Sequence, residues 1–274
     1  MKKFVVILAI VVMAALFLNG AQTASAAMRN LLSEFQSAMN AGDLDKINSL
    51  IKEGLQVNDT LEMVYELALK KPAGKASVSE DFIVSLIKRL AKAKANFKDE
   101  KVFNKIFYDK KNDAIGYSII DLSDNLLTAF LDAGINPDAG PDSSYYKERL
   151  EKEDYHSPLF FYLSRSGTPH VIKERIKIYV EHGASLSYGV YGFRTHAMAF
   201  FLEHRALEYT SSLTENNLKY ITEVVEILRK AGADKSDAKK YLDKCREEHR
   251  NVPDALKYLD KVEDAVNGSW FDWF

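Results

Sequence analysis

Cysteine is almost missing: Cys245 stands alone. That excludes an intrachain disulfide framework and any cysteine-based zinc site. Proline (six) and glycine (13) are few for 274 residues, which excludes collagen-like and proline-rich linker classes. Neither charge sign dominates. The 37 Lys+Arg stand against 39 Asp+Glu, a net charge of −2, which rules out a strong electrostatic case for nucleic-acid binding. No G-x-G-x-x-G or G-x-x-x-x-G-K-[ST] phosphate loop, no G-x-S-x-G and no H-E-x-x-H occurs. What is present is a folding composition, 47% hydrophobic and 28% charged. The length admits one large domain, two small ones or a repeat array.

The one long apolar run lies at the start. Lys2 and Lys3 precede an unbroken apolar stretch from Phe4 to Leu18, and Ala24-Ser25-Ala26 follows it. A positive n-region, a short apolar h-region and an A-x-A site make a secretory signal peptide over residues 1–26. The stretch is shorter than the ~20 residues of a membrane span, so no stable span is expected after cleavage. No cysteine stands nearby to carry a lipid. A periplasmic or secreted bacterial protein is expected, with 35 basic residues left against 39 acidic ones. A lone thiol suits an oxidising compartment.

The rest of the chain repeats a phrase: an amphipathic helix, then Gly-small, then a polar residue. The first copy is Gly42–Asn58, ending Glu53-Gly54-Leu55-Gln56-Val57-Asn58. The last is Tyr220–Asp234, ending Ala231-Gly232-Ala233-Asp234. Between them lie Leu122–Asp138, with Asp132-Ala133-Gly134-Ile135-Asn136, and Ile172–Leu186, with Glu181-His182-Gly183-Ala184. A degenerate copy, Phe82–Lys98, carries Lys94-Ala95-Asn96 at the corresponding place. The markers Gly54, Lys94, Gly134, Gly183 and Gly232 are spaced by 40, 40, 49 and 49 residues. Apolar residues fall at helical spacing, as at Ile47, Leu50 and Ile51 or Val224, Val225 and Leu228. A glycine just past the last turn is the expected left-handed cap.

These phrases resemble the outer helix and following turn of ankyrin repeats, which read roughly G-x-x-E-V-V-K-L-L-L-x-x-G-A-D-V-N. The inner-helix signature T-P-L-H-x-A is weaker: Ser157-Pro158-Leu159-Phe160 keeps S-P-L with Phe for His, and Thr195-His196-Ala197-Met198 keeps little. The period exceeds the family's 33 residues. The resemblance implies an all-α, ankyrin-like helical repeat solenoid over residues 27–236, with longer-than-usual repeats. Inner-helix candidates are Leu31–Asn40, Leu61–Lys70, Lys101–Tyr108, Pro158–Leu163 and Thr195–Arg205. Residues 237–274 are expected to form C-terminal capping helices and an aromatic tail. The cap helices are Ser236–His249 and Ala255–Val266, the second with an apolar stripe of Leu256, Leu259, Val262 and Val266. Stacked helix pairs bury stripes that no single pair can bury.

Candidate chemistry is sparse. The six histidines lie between positions 156 and 249. His196 and His204, eight apart on the expected helix, do not align, and no metal site is expected. Glu151/Glu153/Asp154 and Glu247/Glu248 sit among lysines and arginines and read as solvated helix faces. Cys245, beside Lys244 and Arg246, reads as a bystander thiol. No cofactor and no catalytic residue is expected. The turns are more informative. Ser187–Arg194 joins an outer helix to the next inner helix, a position that projects as a finger in ankyrin-like arrays. Tyr188, Tyr191, Phe193 and Arg194 on a backbone with two glycines suit a binding hot spot, or pack on the neighbouring finger. Tyr145 and Tyr146 occupy the preceding equivalent turn. The tail Trp270-Phe271-Asp272-Trp273-Phe274 either folds over the cap or docks on a partner or membrane surface.

The expected function is a non-catalytic, monomeric protein-binding scaffold of the bacterial cell envelope. Its partner-binding residues are Tyr145, Tyr146, Tyr188, Tyr191, Phe193 and Arg194, and its partner is a protein rather than nucleic acid. The alternatives are an immunity or inhibitor protein neutralising a toxin or enzyme, a secreted host-directed effector, and a hydrolase with an unrecognised site.

Overall fold

The computed structural model describes residues 27–70, 78–99, 101–102, 122–138, 157–164, 168–190, 193–205 and 214–268. The expected signal segment 1–26, most of the inner-helix candidate Lys101–Tyr108, and the aromatic tail lie outside them. The described residues are overwhelmingly α-helical. They fall into two compact units, one within Met1–Phe107 and Gly116–Ala133, the other within Tyr108–Ile115 and Gly134–Phe274.

The first unit contains α1 (residues 27–41), α2 (Leu44–Lys52), a 3₁₀ turn (Val57–Thr60), α3 (Leu61–Lys70), α4 (Glu80–Lys92) and α5 (Asp124–Asp132). Each of three helices starts on a side-chain cap: Asp43 accepts from the Lys46 N–H, Ser79 from Phe82 and Ser123 from Leu126. Such caps satisfy amides the helix leaves unpaired, for about 1 kcal/mol each. Helix α4 packs on α3 and α5. The core between them holds Ile83, Leu86, Ile87, Leu90, Leu126 and Leu127, with no solvent exposure. Tyr65, Phe97 and Phe130 form an aromatic triangle with centroids 5.4–6.4 Å apart. Tilted and edge-on rings at this spacing add attraction beyond their buried area.

The second unit contains α6 (Pro158–Ser164), α7 (Pro169–Glu181), β1 (Ser187–Val190), β2 (Phe193–His196), α8 (Ala197–Arg205), α9 (Glu215–Lys230), α10 (Ser236–Glu248) and α11 (Pro253–Asn267). Within it the helices form two rows. Helix α8 packs between α6 and α10, and α9 packs between α7 and α11. Each consecutive pair, α6 with α7, α8 with α9, and α10 with α11, also packs together. Helix α8 lies in the middle of its row and is buried along almost its whole length, from Ala197 to Leu202. Polar ties cross between neighbours. Lys173 of α7 pairs with Glu223 of α9 at 2.8 Å. Arg246 of α10 reaches Asp260, at 3.1 Å, and Glu263 of α11.

The five sequence markers share one backbone conformation. Gly54, Gly134, Gly183 and Gly232 have φ between +80° and +106°, and Lys94 has φ +66°. Among the described residues Lys94 is the one non-glycine with positive φ. At Gly54, Lys94, Gly183 and Gly232 the helix ends in the same pair of bonds. The marker N–H donates to the carbonyl three residues back, and the next N–H donates to the carbonyl five back, as Leu55 does to Leu50 and Ala233 to Leu228. This is the Schellman ending, in which the residue after the left-handed one packs on the last turn. Those residues, Leu55, Ala95, Ile135, Ala184 and Ala233, are all buried.

A second bond recurs between copies. Four residues past the marker, the Asn58 side chain accepts from the N–H of Asn96, two past the next marker, at 2.7 Å. Asp138, four past Gly134, accepts from the N–H of Ser185, two past Gly183, at 2.9 and 3.0 Å. Burial pushes the Asp138 carboxyl up, against the Ser185 bond that pulls it down.

Three expectations are corrected. Residues Thr195 and His196 are not helical: they pair with Tyr188 and Ser187 in an antiparallel hairpin, so α8 begins at Ala197. His196 and His204 therefore do not share a helix. The buried stripe of α11 is Ala255, Tyr258, Leu259, Val262, Ala265 and Val266, with Leu256 only half-buried at its edge.

Candidate functional site

The Ser187–Arg194 turn is the one place where the described chain leaves its helices for a sheet. Strands β1 and β2 pair in the register Ser187 with His196, Tyr188 with Thr195, Gly189 with Arg194, and Val190 with Phe193. The Ala197 N–H donates to the Leu186 carbonyl at 2.9 Å, which joins the hairpin base to the first residue of α8. Tyr188, Phe193 and Arg194 therefore stand on paired strands. Tyr191 lies in the connection and Tyr145 and Tyr146 in an earlier segment, all outside the described residues.

Beside the hairpin base lies a groove of about 520 Å³. It is lined by His196 from β2, Ala199 and Glu203 from α8, and Asp237, Lys240, Tyr241 and Lys244 from α10. The α10 residues recur every three or four positions, so they form one helix face. His196 Nε2 lies 3.9 Å from Asp237 Oδ2. Lys240 pairs with Asp237 at 2.9 Å and Lys244 with Glu248 at 3.8 Å. Hydrogen bonds from Ser236 hold the Asp234 carboxyl below the usual carboxylate range. Burial, followed by a hydrogen bond to Cys245, pushes the Tyr241 hydroxyl far above the usual range. The tyrosine in this wall stays neutral.

The groove was not among the sequence-level candidates. Its two walls come from helices some 40 residues apart in the chain. The one signal was the α10 pattern of Asp237, Lys240, Tyr241 and Lys244, which also describes any solvated helix face.

The remaining chemistry-bearing residues among the described ones sit in the core, at helix ends or in ion pairs. Cys245 is fully buried, and burial raises its thiol. That leaves little of the thiolate that nucleophilic chemistry needs. His182, His204 and His249 each set a ring nitrogen 2.7–2.9 Å from the carbonyl four residues back, at the last turn of α7, α8 and α10. At His182 and His249 the same carbonyl also accepts the backbone N–H of that histidine, at 3.2 and 3.0 Å. Glu247 and Glu248 pair with Arg250 and Lys244. Glu151, Glu153 and Asp154 lie outside the described residues. Among the described residues no group of three or more His, Cys, Asp or Glu could hold a metal ion. No helix among them is long and apolar enough to cross a membrane.

No protein-family model matches this chain, and no curated protein and no solved structure matches it either.

Proposed function

We propose that this chain is a non-catalytic protein-binding scaffold of the bacterial cell envelope, an exported and diverged ankyrin-like repeat array. The solenoid reading is supported by the left-handed endings at Gly54, Lys94, Gly134, Gly183 and Gly232. It draws further support from the side-chain-to-backbone bonds of Asn58 and Asp138 to the following copy, and from the two helix rows of the second unit. Repeats that stack in this way offer an extended surface on which residues from successive units meet a partner. Export rests on the Lys2-Lys3, Phe4–Leu18 and Ala24-Ser25-Ala26 pattern.

The observation that carries the binding role is the hairpin β1–β2 with the groove at its base. A short ribbon bearing Tyr188, Phe193 and Arg194 on its strands places hot-spot residue types on a backbone held by its own ladder. It stands next to a depression lined by a mixture of charged and aromatic groups.

The test is partner capture from envelope extract by the chain and by a Tyr188→Ala/Tyr191→Ala/Phe193→Ala variant. The variant is expected to lose the partner with an unchanged far-UV circular dichroism spectrum. Undiminished capture by the folded variant contradicts the placement.

A further inference from the structure

We infer that the Arg229 guanidinium anchors the C-terminal tail Trp270-Phe271-Asp272-Trp273-Phe274 on the helical cap, with Asp272 as its counter-ion. Of the readings the sequence leaves open for these aromatics, this one makes them part of the cap rather than a contact for a partner or a membrane. It does not depend on what the hairpin binds. The anchor is built from the ends of two helices. Arg229 lies in the last turn of α9, and α11, packed alongside, ends at Gly268. Gly268 is left-handed, with φ +92°, and its N–H donates to the Asp264 carbonyl at 2.8 Å. A Cβ placed at Gly268 would lie 3.0 Å from Nη1 of Arg229 and 3.2 Å from its Cζ. The guanidinium therefore sits against the backbone at the point where the tail leaves α11. Glycine at 268 serves both the left-handed turn and this close approach.

Neighbouring cations of the cap have acids of their own. Lys230 pairs with Glu226, and Arg246 with Asp260 and Glu263. Arg229 has none: its Nε is buried without a hydrogen-bond partner, and no ion pair joins it to a described residue. A guanidinium keeps its charge and its five N–H donors at any physiological pH. A half-buried one gains more from a carboxylate than a fully hydrated one does. The tail supplies that carboxylate, for Asp272 is its single charged side chain. Asp272 stands four residues past Gly268, a reach of at most about 14 Å. So short a tether holds it near Arg229 at an effective concentration of roughly millimolar. The carbonyl ends of α9 and α11 repel an anion, so the carboxylate is held there only through Arg229. The four aromatic rings of the tail gain as well, since they leave water beside a cation that attracts ring faces.

Trp270 and Trp273 are the only tryptophans of the chain, so its tryptophan fluorescence reports the tail alone. The purified chain is expected to emit to the blue of N-acetyltryptophanamide and to resist quenching by acrylamide. Arg229→Gln and Asp272→Asn should each lower the docked-to-free ratio of the tail about tenfold, the scale of one hydrogen bond to a charged group. Emission then moves to the red and quenching rises. Asp272→Asn changes no residue of the helices, so its result stands even where Arg229→Gln disturbs α9. Because the two groups are partners, the double variant should resemble either single one. Three results overturn the inference: parent emission like that of the free indole, shielded emission unmoved by both substitutions, or effects of the two that simply add. Shielding that appears only on adding vesicles of phosphatidylethanolamine and phosphatidylglycerol, or envelope extract, assigns the tail to a membrane or a partner and overturns it as well.

Discussion

Lys94 occupies a glycine's place. Its φ of +66° is the conformation that Gly54 and three other glycines adopt at the same point of their phrases, and a side chain there costs roughly 1–2 kcal/mol. Replacing it with glycine removes that cost but gives the unfolded chain more freedom, worth about 0.5–1 kcal/mol. The Lys94 side chain is exposed, so little packing is lost. The strain relief outweighs the entropy, and Lys94→Gly should stabilise the first unit by about 0.5–1 kcal/mol. With a urea slope of about 1–3 kcal/mol/M, the midpoint rises by roughly 0.3 M. The control is Gly54→Ala in the same unit. A Cβ at Gly54 meets nothing within 4 Å, so its cost is purely one of backbone conformation at φ +102°. It should destabilise by about 1 kcal/mol or more. Urea unfolding followed by circular dichroism checks both. A lower midpoint for Lys94→Gly, or no loss for Gly54→Ala, refutes the equivalence of these sites.

Two further outcomes are expected. The Asp138 carboxyl is pushed up by burial, so its charged form is the less favoured one in the fold, and its stabilising contribution is present in acid and lost as the pH rises through its folded-state pKa. Asp138→Asn keeps an oxygen for the Ser185 N–H, as Asn58 does for Asn96, and removes the charge. It should be at least as stable as the parent at neutral pH, with the advantage shrinking in acid; urea midpoints at the two pH values decide it. Cys245 is fully buried, so a thiol-specific chromogenic reagent should react only as fast as the cap helices open, and Leu242→Ala, which removes buried apolar packing on the same helix, should speed that reaction while costing about 2–5 kcal/mol.

Helix ends were the most legible feature of the sequence, because glycine after an apolar stripe has a specific backbone consequence. The reading extended to Lys94, where only position in the repeat, and no residue preference, marked the left-handed turn. Helix α3 runs Leu61–Lys70, as its apolar spacing indicates. The hairpin was not legible as sheet. Its strands are four residues each, too short for alternation to show, and Gly189 and Gly192 read equally well as loop. Thr195 and His196 fall in the inner-helix candidate Thr195–Arg205 by their place in the repeat, yet the cross-strand ladder to Ser187 and Tyr188 claims them. The bonds from Asn58 and Asp138 reside in a position the repeat phrase already contains. Their role appears only when two copies lie side by side, and the groove between α8 and α10 likewise exists only in that stacking.

The central claim is that this chain meets a protein partner at the hairpin and the groove beneath it. The direct measurement is site-specific photocrosslinking in cells, with a benzophenone amino acid placed in turn at Tyr188, at Glu203 and, on the row of α7, α9 and α11, at the exposed Lys219. The account expects one and the same protein to be captured from positions 188 and 203 and not from 219. Capture from 219 with none from 188 and 203 would contradict it.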